Sequence, residues 1–248
     1  MLSAITYNVN HGKKLSQISK WLLHQTNQFD LLCFQEFPQE KIDWFLAAFP
    51  RTYKYTFASN VLRKGQEYGQ LTIFNNKKIT YKGYTTVSLG NGSIVERKVY
   101  NAFGERSAPI TYFTYGKRNV YIVNVHLIWF ALNRKRREQI EIIIEALKKI
   151  SLSPEDSILI VGDFNYSSLT QKQGLTQFMN KYSFHNASNN LKTHKLLMFK
   201  SLLTHQIDYI FYKNCQIKNI EVVKIHFSDH FPVCFTLSLN RLKTSTVN

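Results

Sequence analysis

The sequence predicts an α/β protein built as a two-layered β-sandwich flanked by helices. Three observations carry that prediction. Short apolar runs recur from one end of the chain to the other, and two of them, residues 120–127 and 157–162, read as buried strands. Apolar residues at helical spacing fall between and after those runs. No repeat, linker or low-complexity segment divides the 248 residues, so 1–239 is expected to be one domain and 240–248 a frayed polar tail.

The elements follow in order. Residues 4–9 and 31–34 read as strands, and Leu15, Ile18 and Leu22 between them recur at helical spacing, giving a β-α-β start. Ile42, Phe45 and Phe49 predict a second helix. From 53 to 115, β-branched and aromatic residues are punctuated by Gly69, Gly83, Gly90, Gly92 and Gly104, as in antiparallel strands and hairpins. Residues 120–127 are apolar on both faces and predict a central strand. Ile140, Ile143, Ile144, Leu147 and Ile150 mark the stripe of an amphipathic helix. Residues 134–137 put four cations at its N-terminal end, where positive charge is unfavourable, so the cluster asks for an anion nearby. Strands at 157–162, 207–212, 220–225 and 233–239 complete a second strand-rich half.

Composition narrows the function classes. Lys+Arg 32 against Asp+Glu 16 gives a net charge of +16. Either a polyanionic partner or AT-rich coding drift explains it, since 23 of the cations are lysine and nine are arginine. Three cysteines without a CxxC suggest neither a disulfide framework nor a thiolate zinc site. The start Met1-Leu2-Ser3 lacks a basic segment and a long apolar one, and the longest uncharged apolar stretch, 120–132, is too short and polar to span a bilayer. An intracellular monomer without stable membrane insertion is expected.

Polar residues fall repeatedly at strand ends. Asn8 ends the first strand, Gln35 and Glu36 the second, and Asn124 and His126 the central one. Asp163 and Asn165 follow Ile158-Leu159-Ile160-Val161-Gly162. Asp208 opens a late strand, and Ser228-Asp229-His230 precedes Phe231-Pro232-Val233. Singly, each has a plain reading: Asn8 a turn cap, His126 a satisfied core histidine, Asp163 and Asn165 an Asx-type turn. Jointly, at strand ends that converge on one crevice, they are hard to explain as turn chemistry.

The segments Ile5-Thr6-Tyr7-Asn8-Val9-Asn10, Leu31-Leu32-Cys33-Phe34-Gln35-Glu36, Val123-Asn124-Val125-His126-Leu127, Ile160-Val161-Gly162-Asp163-Phe164-Asn165, Ile207-Asp208-Tyr209-Ile210-Phe211 and Ser228-Asp229-His230-Phe231-Pro232-Val233 resemble the successive motifs of the endonuclease/exonuclease/phosphatase superfamily. That superfamily includes DNase I, abasic endonucleases, tyrosyl-DNA phosphodiesterases, deadenylases, inositol polyphosphate 5-phosphatases and neutral sphingomyelinases. The resemblance spans 5–237 and implies a DNase I-like four-layer α/β sandwich. It implies Mg2+, with Mn2+ as a substitute, held by Glu36 with Asn8 and Asp229. Asp163 would orient or deprotonate the attacking water, and Asn165 would hydrogen-bond that water or the phosphate. His230 would contact the phosphate with Asp208 fixing its tautomer, and His126 would protonate the leaving oxygen. Glu67 is the implied partner of His126. Arg136 with Gln139, and Arg106, resemble supporting residues of the site.

The subfamily is read from four features. A histidine stands at 126, where abasic endonucleases carry tyrosine. Their tryptophan-rich stretch is absent; the chain reads Leu191-Lys192-Thr193-His194 and Leu203-Thr204-His205-Gln206 instead. The loop Ile128-Trp129-Phe130-Ala131-Leu132 is an aromatic patch on which unpaired bases would stack, although a lipid tail or a core would accept it too. The extra basic motifs of the inositol phosphatases are not evident. A metal-dependent DNA or RNA phosphodiesterase is therefore expected. The alternatives are a phospholipid-type phosphodiesterase or phosphomonoesterase, and a nucleic-acid-binding module with a decayed site.

Overall fold

The structure of the protein, a computed structural model, describes residues 1–25, 29–150, 153–198 and 201–239. The tail expected to fray, 240–248, lies outside the described residues. In chain order the elements are β1 (Leu2–Asn8), α1 (Leu15–Leu23), β2 (Leu31–Pro38), α2 (Ile42–Leu46), β3 (Tyr53–Arg63), β4 (Gln66–Asn75), β5 (Thr80–Asn91), α3 (Ile94–Tyr100), β6 (Ala102–Phe103), β7 (Glu105–Tyr115), β8 (Arg118–His126) and α4 (Asn133–Lys149). They continue with β9 (Ser157–Asp163), α5 (Leu169–Asn180), β10 (His185–Asn186), β11 (His194–Met198), β12 (Ser201–His205), β13 (Asp208–Lys213), β14 (Gln216–Val222) and β15 (Val233–Ser238).

Two sheets form the sandwich. One runs β14-β15-β1-β2-β4-β3-β6, the other β10-β13-β9-β8-β7-β5, and β11-β12 is a separate hairpin. Each sheet holds one parallel pair, β1 with β2 and β8 with β9. Three apolar layers hold the stack. Ile18, Leu22, Ile42 and Phe45 from α1 and α2 cover Ile5, Tyr7, Leu32 and Phe34 of the first sheet. Ile140, Ile143, Ile144 and Leu147 from α4, with Leu175 and Met179 from α5, cover Val123, Val125 and Ile160 of the second. Between the sheets lie Leu2, Ala4, Leu31, Cys33, Val120, Ile122, Leu159 and Val161. Central strands buried on both faces explain why the runs read as continuous rather than alternating.

The alternation also positions the polar residues. Side chains two apart share a face. Continuing the between-sheet positions toward the strand ends gives Asn8 on β1, Gln35 on β2, Asn124 and His126 on β8, and Asp163 on β9. At that end the layer between the sheets turns from aliphatic to polar. Gln35 Nε2 donates to Thr6 Oγ1 at 3.1 Å and to Asn124 Oδ1 at 2.7 Å, and Asn124 Nδ2 donates to the Phe34 carbonyl at 3.0 Å, stitching the sheets together beneath the polar end. Gly162, at φ +131°, permits the close approach of β9 to β8: a Cβ there would lie 2.1 Å from the Val125 carbonyl oxygen.

Several elements differ from expectation. The 53–115 region is not all strand, because α3 interrupts it. Its apolar residues Ile94, Val95 and Val99 are exposed while Glu96 is buried, so no inward apolar stripe announces the helix. A Ser93–Glu96 capping box starts it. Helix α5 buries only Leu175 and Met179, too sparse a stripe to stand out. The strand expected at 220–225 is β14, which ends at Val222. The cations at 134–137 find a protein anion: Arg134 Nε and Lys135 Nζ lie 3.1 and 2.7 Å from Glu138.

Candidate active site

The polar end opens into a cleft of about 570 Å3, lined by His11, Glu36, His126, Trp129, Arg136, Asp163, Asn165, His194, His205, Asp229 and His230 among others. Beneath its lining lies the fully buried Asn8. The Asn8 amide donates to Glu36 Oε1 at 3.1 Å and to Asp163 Oδ2 at 3.2 Å, while its Oδ1 accepts from the Asn10 N–H at 3.0 Å. One side chain thus holds two carboxylates from two sheets.

Glu36 reaches the cleft by breaking its strand. It follows the between-sheet residue Gln35, so unbroken alternation would turn it toward α1 and α2. The β2–β4 register instead shifts between Phe34 and Phe37, and Glu36 sits at φ +55°. A bulge with a non-glycine residue in the left-handed region re-aims a side chain at a strained position, as functional sites often do. His11 closes over Glu36, its Nδ1 2.8 Å from Oε2.

Two imidazoles flank Asp163. His126 Nε2 lies 3.8 Å from Asp163 Oδ2 and 3.7 Å from Glu36 Oε1; His230 Nε2 lies 3.6 Å from the same Asp163 oxygen. Asp208 holds His230 from behind at 2.9 Å, on Nδ1. Asn165, at φ +57°, donates its side-chain amide to the Leu127 carbonyl, and its backbone N–H donates to Asp163 Oδ1 at 2.9 Å. Asp229 is half-exposed, accepts from Ser228 Oγ at 3.0 Å, and places Oδ2 3.9 Å from His194 Nε2.

Burial and neighbours set the charges. Burial would raise Glu36, but the hydrogen bond and charge of His11, with His126 and Asn8, hold its carboxyl well below the usual range. Burial dominates at Asp163: with Asp208 and Glu36 nearby it outweighs His230, and the pKa rises to about 7. Burial also dominates at His126, pushing it down to about 4 despite Glu36. At His230, burial is overcome by the charge and hydrogen bond of Asp208 and by Asp163, and the pKa rises to about 10.

The other expected site residues fall as follows. Trp129 is half-exposed on the cleft wall, its ring centroid 3.9 Å from that of Phe130. Arg136 lines the cleft, and its guanidinium donates to the Ile128 carbonyl at 2.9 Å, to the Trp129 carbonyl and to Asn133 Oδ1, so it holds the aromatic loop. Gln139 Oε1 accepts from the Ile128 N–H at 2.9 Å. Glu67 corrects an expectation: it is exposed near the start of β4 and does not line the cleft, although its neighbours Tyr68 and Gly69 do. Among the described residues, the acids within 4 Å of His126 are Glu36 and Asp163.

The family model for the endonuclease/exonuclease/phosphatase family matches residues 5–230. The chain belongs to this family. Members are divalent-metal-dependent phosphoric ester hydrolases, which agrees with the buried acid and imidazole cluster. Among curated proteins, no sequence matches the chain. Among solved structures, it is similar to a Bacteroides thetaiotaomicron mannosyl-6-phosphatase (18% identity, TM-score 0.73, covering 96% of this chain and 100% of that one). It is also similar to a functionally unknown conserved protein from Enterococcus faecalis (19%, 0.74, 96% and 100%). A third is D. rerio TDP2 complexed with a single-strand DNA product (13%, 0.70, 96% and 98%). At these identities the likeness shows the fold, a DNase I-like α/β sandwich.

Within this family member, sequence reasoning missed four residues of the cleft. His11 follows Asn10 in a tight reversal in which both have positive φ. Glu96 is buried, pairs with Arg106 Nη2 at 2.7 Å and accepts from the Trp129 N–H at 2.8 Å. Arg106 Nη1 in turn donates to the His126 carbonyl at 3.3 Å. The Ser93-Ile94-Val95-Glu96 capping signal could have placed Glu96 at a helix start. His194 and His205 stand opposite each other on the β11–β12 hairpin.

Proposed function

We propose that this protein is a Mg2+-dependent phosphodiesterase that cleaves nucleic-acid strands by one-step attack of water. The observation that carries the proposal is Asp163: a buried carboxylate raised to about 7, fixed by Asn8 and flanked by two imidazoles. A base of that strength suits proton abstraction from water near neutral pH. The donor set fits a hard dication. Glu36 faces the cleft with imidazole ion-pair partners and no lysine or arginine among the described residues, which leaves its carboxylate for a bound cation. Glu36 and Asp229 would hold Mg2+, or Mn2+ in its place, with Asn8 orienting Glu36. When bound, the ion supplies charge neutralisation at the phosphoryl oxygens.

The chain's own residues do the rest. Asp163 accepts the proton of the attacking water as its oxygen bonds to phosphorus. Asn165, anchored on Leu127, fixes the loop that carries Asp163. His230, kept protonated by Asp208, donates to the phosphate and stores the proton that the leaving oxygen requires. His126 is held neutral by burial, so it contributes a single N–H to the phosphate rather than the main positive charge. The proton-bearing role expected of His126 therefore moves to His230.

Support for nucleic acid comes from the net charge of +16 and from Trp129 and Phe130 on the cleft wall. Glu36→Gln and Asp163→Asn should abolish cleavage of labelled single-stranded oligonucleotide while circular dichroism remains native. Full activity in either variant would overturn the mechanism. Binding to the inactive variant should weaken steeply with salt. A phospholipid reading is favoured by one observation, the exposed Ile94, Val95 and Val99 on α3 beside Trp129. Among the described residues no helix is long and apolar enough to cross a membrane. Cleavage of lipid in vesicles ahead of oligonucleotide would favour that reading.

A further inference from the structure

Thr193-His194 and Thr204-His205, in the stretches that stand where abasic endonucleases carry tryptophans, lie outside the mechanism above. They open and close the β11–β12 hairpin, where His194 and His205 are register partners. The hairpin is pinned against the motif that carries Asp229 and His230. The Phe231 N–H donates to the Thr193 carbonyl at 2.6 Å, the Lys195 N–H donates to the Asp229 carbonyl at 2.8 Å, and a β-bridge joins His194 to His230. The rings of His194 and His230 meet edge to face with centroids 4.7 Å apart.

We propose that His194, Asp229 and His230 form a nitrogen-rich cation site, sharing Asp229 with the proposed Mg2+ position but not using Glu36, that takes a transition-metal dication such as Zn2+ or Co2+. One ligand atom from each residue lies within 4.8 Å of the others, a span that one ion can draw together. Two imidazoles and one carboxylate form a borderline donor set, which prefers zinc or cobalt to magnesium. Three protein ligands facing a cleft leave a coordination position open. Asp208 completes the pattern. It holds His230 Nδ1 at 2.9 Å, which leaves Nε2 for the metal, in the arrangement of a carboxylate behind a ligating histidine. Binding replaces the proton on His230 Nε2, which passes to solvent, while Asp208 keeps the Nδ1 proton. A second observation points the same way: His205 Nε2, beside this cluster on the cleft lining, is buried without a hydrogen-bond partner.

One consequence rests on the proposed hydrolysis. Zinc at this site takes His230 Nε2 away from the phosphate, so it should inhibit Mg2+-driven turnover. The site itself is tested by binding, which needs no substrate. The full chain is kept in millimolar Mg2+ and titrated with Co2+, reading visible absorption. Wild type should saturate at one Co2+ per chain, and Zn2+ should displace it. His194→Ala and Asp229→Asn should each weaken Co2+ binding at least about tenfold. Asp229 is 46% exposed, so its variant tests the site even where His194→Ala disturbs packing. Glu36→Gln should leave Co2+ binding intact. Absence of saturable binding, wild-type affinity in folded His194→Ala or Asp229→Asn, or loss of binding in Glu36→Gln would overturn the proposal.

Discussion

His126 and His230 approach the same oxygen of Asp163 from two walls of one cleft, at 3.8 and 3.6 Å, and both are buried. Burial pushes both toward neutrality, yet only His126 yields, at about 4, whereas His230 is lifted to about 10. The difference stands behind the rings. Arg106 adds positive charge on the His126 wall, and Asp208 grips His230 directly. Residue type and depth alone do not assign a catalytic role; the group one contact further back does.

The largest effect is expected from the group that makes the two walls differ. Asp208→Asn should reduce cleavage by about 10²–10⁴-fold, the scale of a lost acid–base contribution. It should also destabilise the fold by about 3–5 kcal/mol in denaturant titrations, because it breaks a buried ion pair by removing one partner. His126→Gln should reduce cleavage by about 10²-fold, at the low end of that range, since His126 is neutral in the resting cleft. An equal or greater loss would restore His126 as the main proton donor. On the same wall, Trp129→Ala should weaken single-strand binding by about 1–3 kcal/mol, seen as a raised KM with kcat little changed. Unchanged KM would remove the aromatic loop from the substrate.

The smallest effect is the most diagnostic of charge. In chelator, the two imidazoles should tilt stability in opposite directions. His126 has a depressed pKa, so its contribution is present above about 6.5 and is lost as pH falls toward about 4. His230 has a raised pKa, so its contribution is present below about 6.5 and is lost as pH rises toward about 10. Thermal melts should show His126→Gln flattening the acid limb and His230→Gln flattening the alkaline limb.

Much of this site was legible in the sequence because strand alternation is local. Once residues 4–9, 120–127 and 157–162 are read as buried strands, the parity of Ala4, Val120 and Leu159 carries Asn8, His126 and Asp163 into the layer between the sheets. Glu36 was found through motif resemblance, and no parity rule would have found it, because a bulge and a positive φ turn it. Glu67 failed for the same reason in reverse: it neighbours cleft residues along the chain but lies outside the cleft lining. Glu96 was hidden in a short helix whose apolar residues face outward, and its partner Arg106 comes from a different element. The His194 hairpin is only legible through its long-range pairing with residues 229–231.

The central claim is that Asp163 activates water against a nucleic-acid phosphodiester. Initial rates in Mg2+ on a single-stranded oligonucleotide and on mannose 6-phosphate, for wild type and a folded Asp163→Asn variant, test it most directly. The account predicts strand cleavage by wild type, faster than release of phosphate from the sugar, and none by Asp163→Asn. Efficient release of phosphate from the sugar with the oligonucleotide left intact, or strand cleavage by Asp163→Asn, would contradict it.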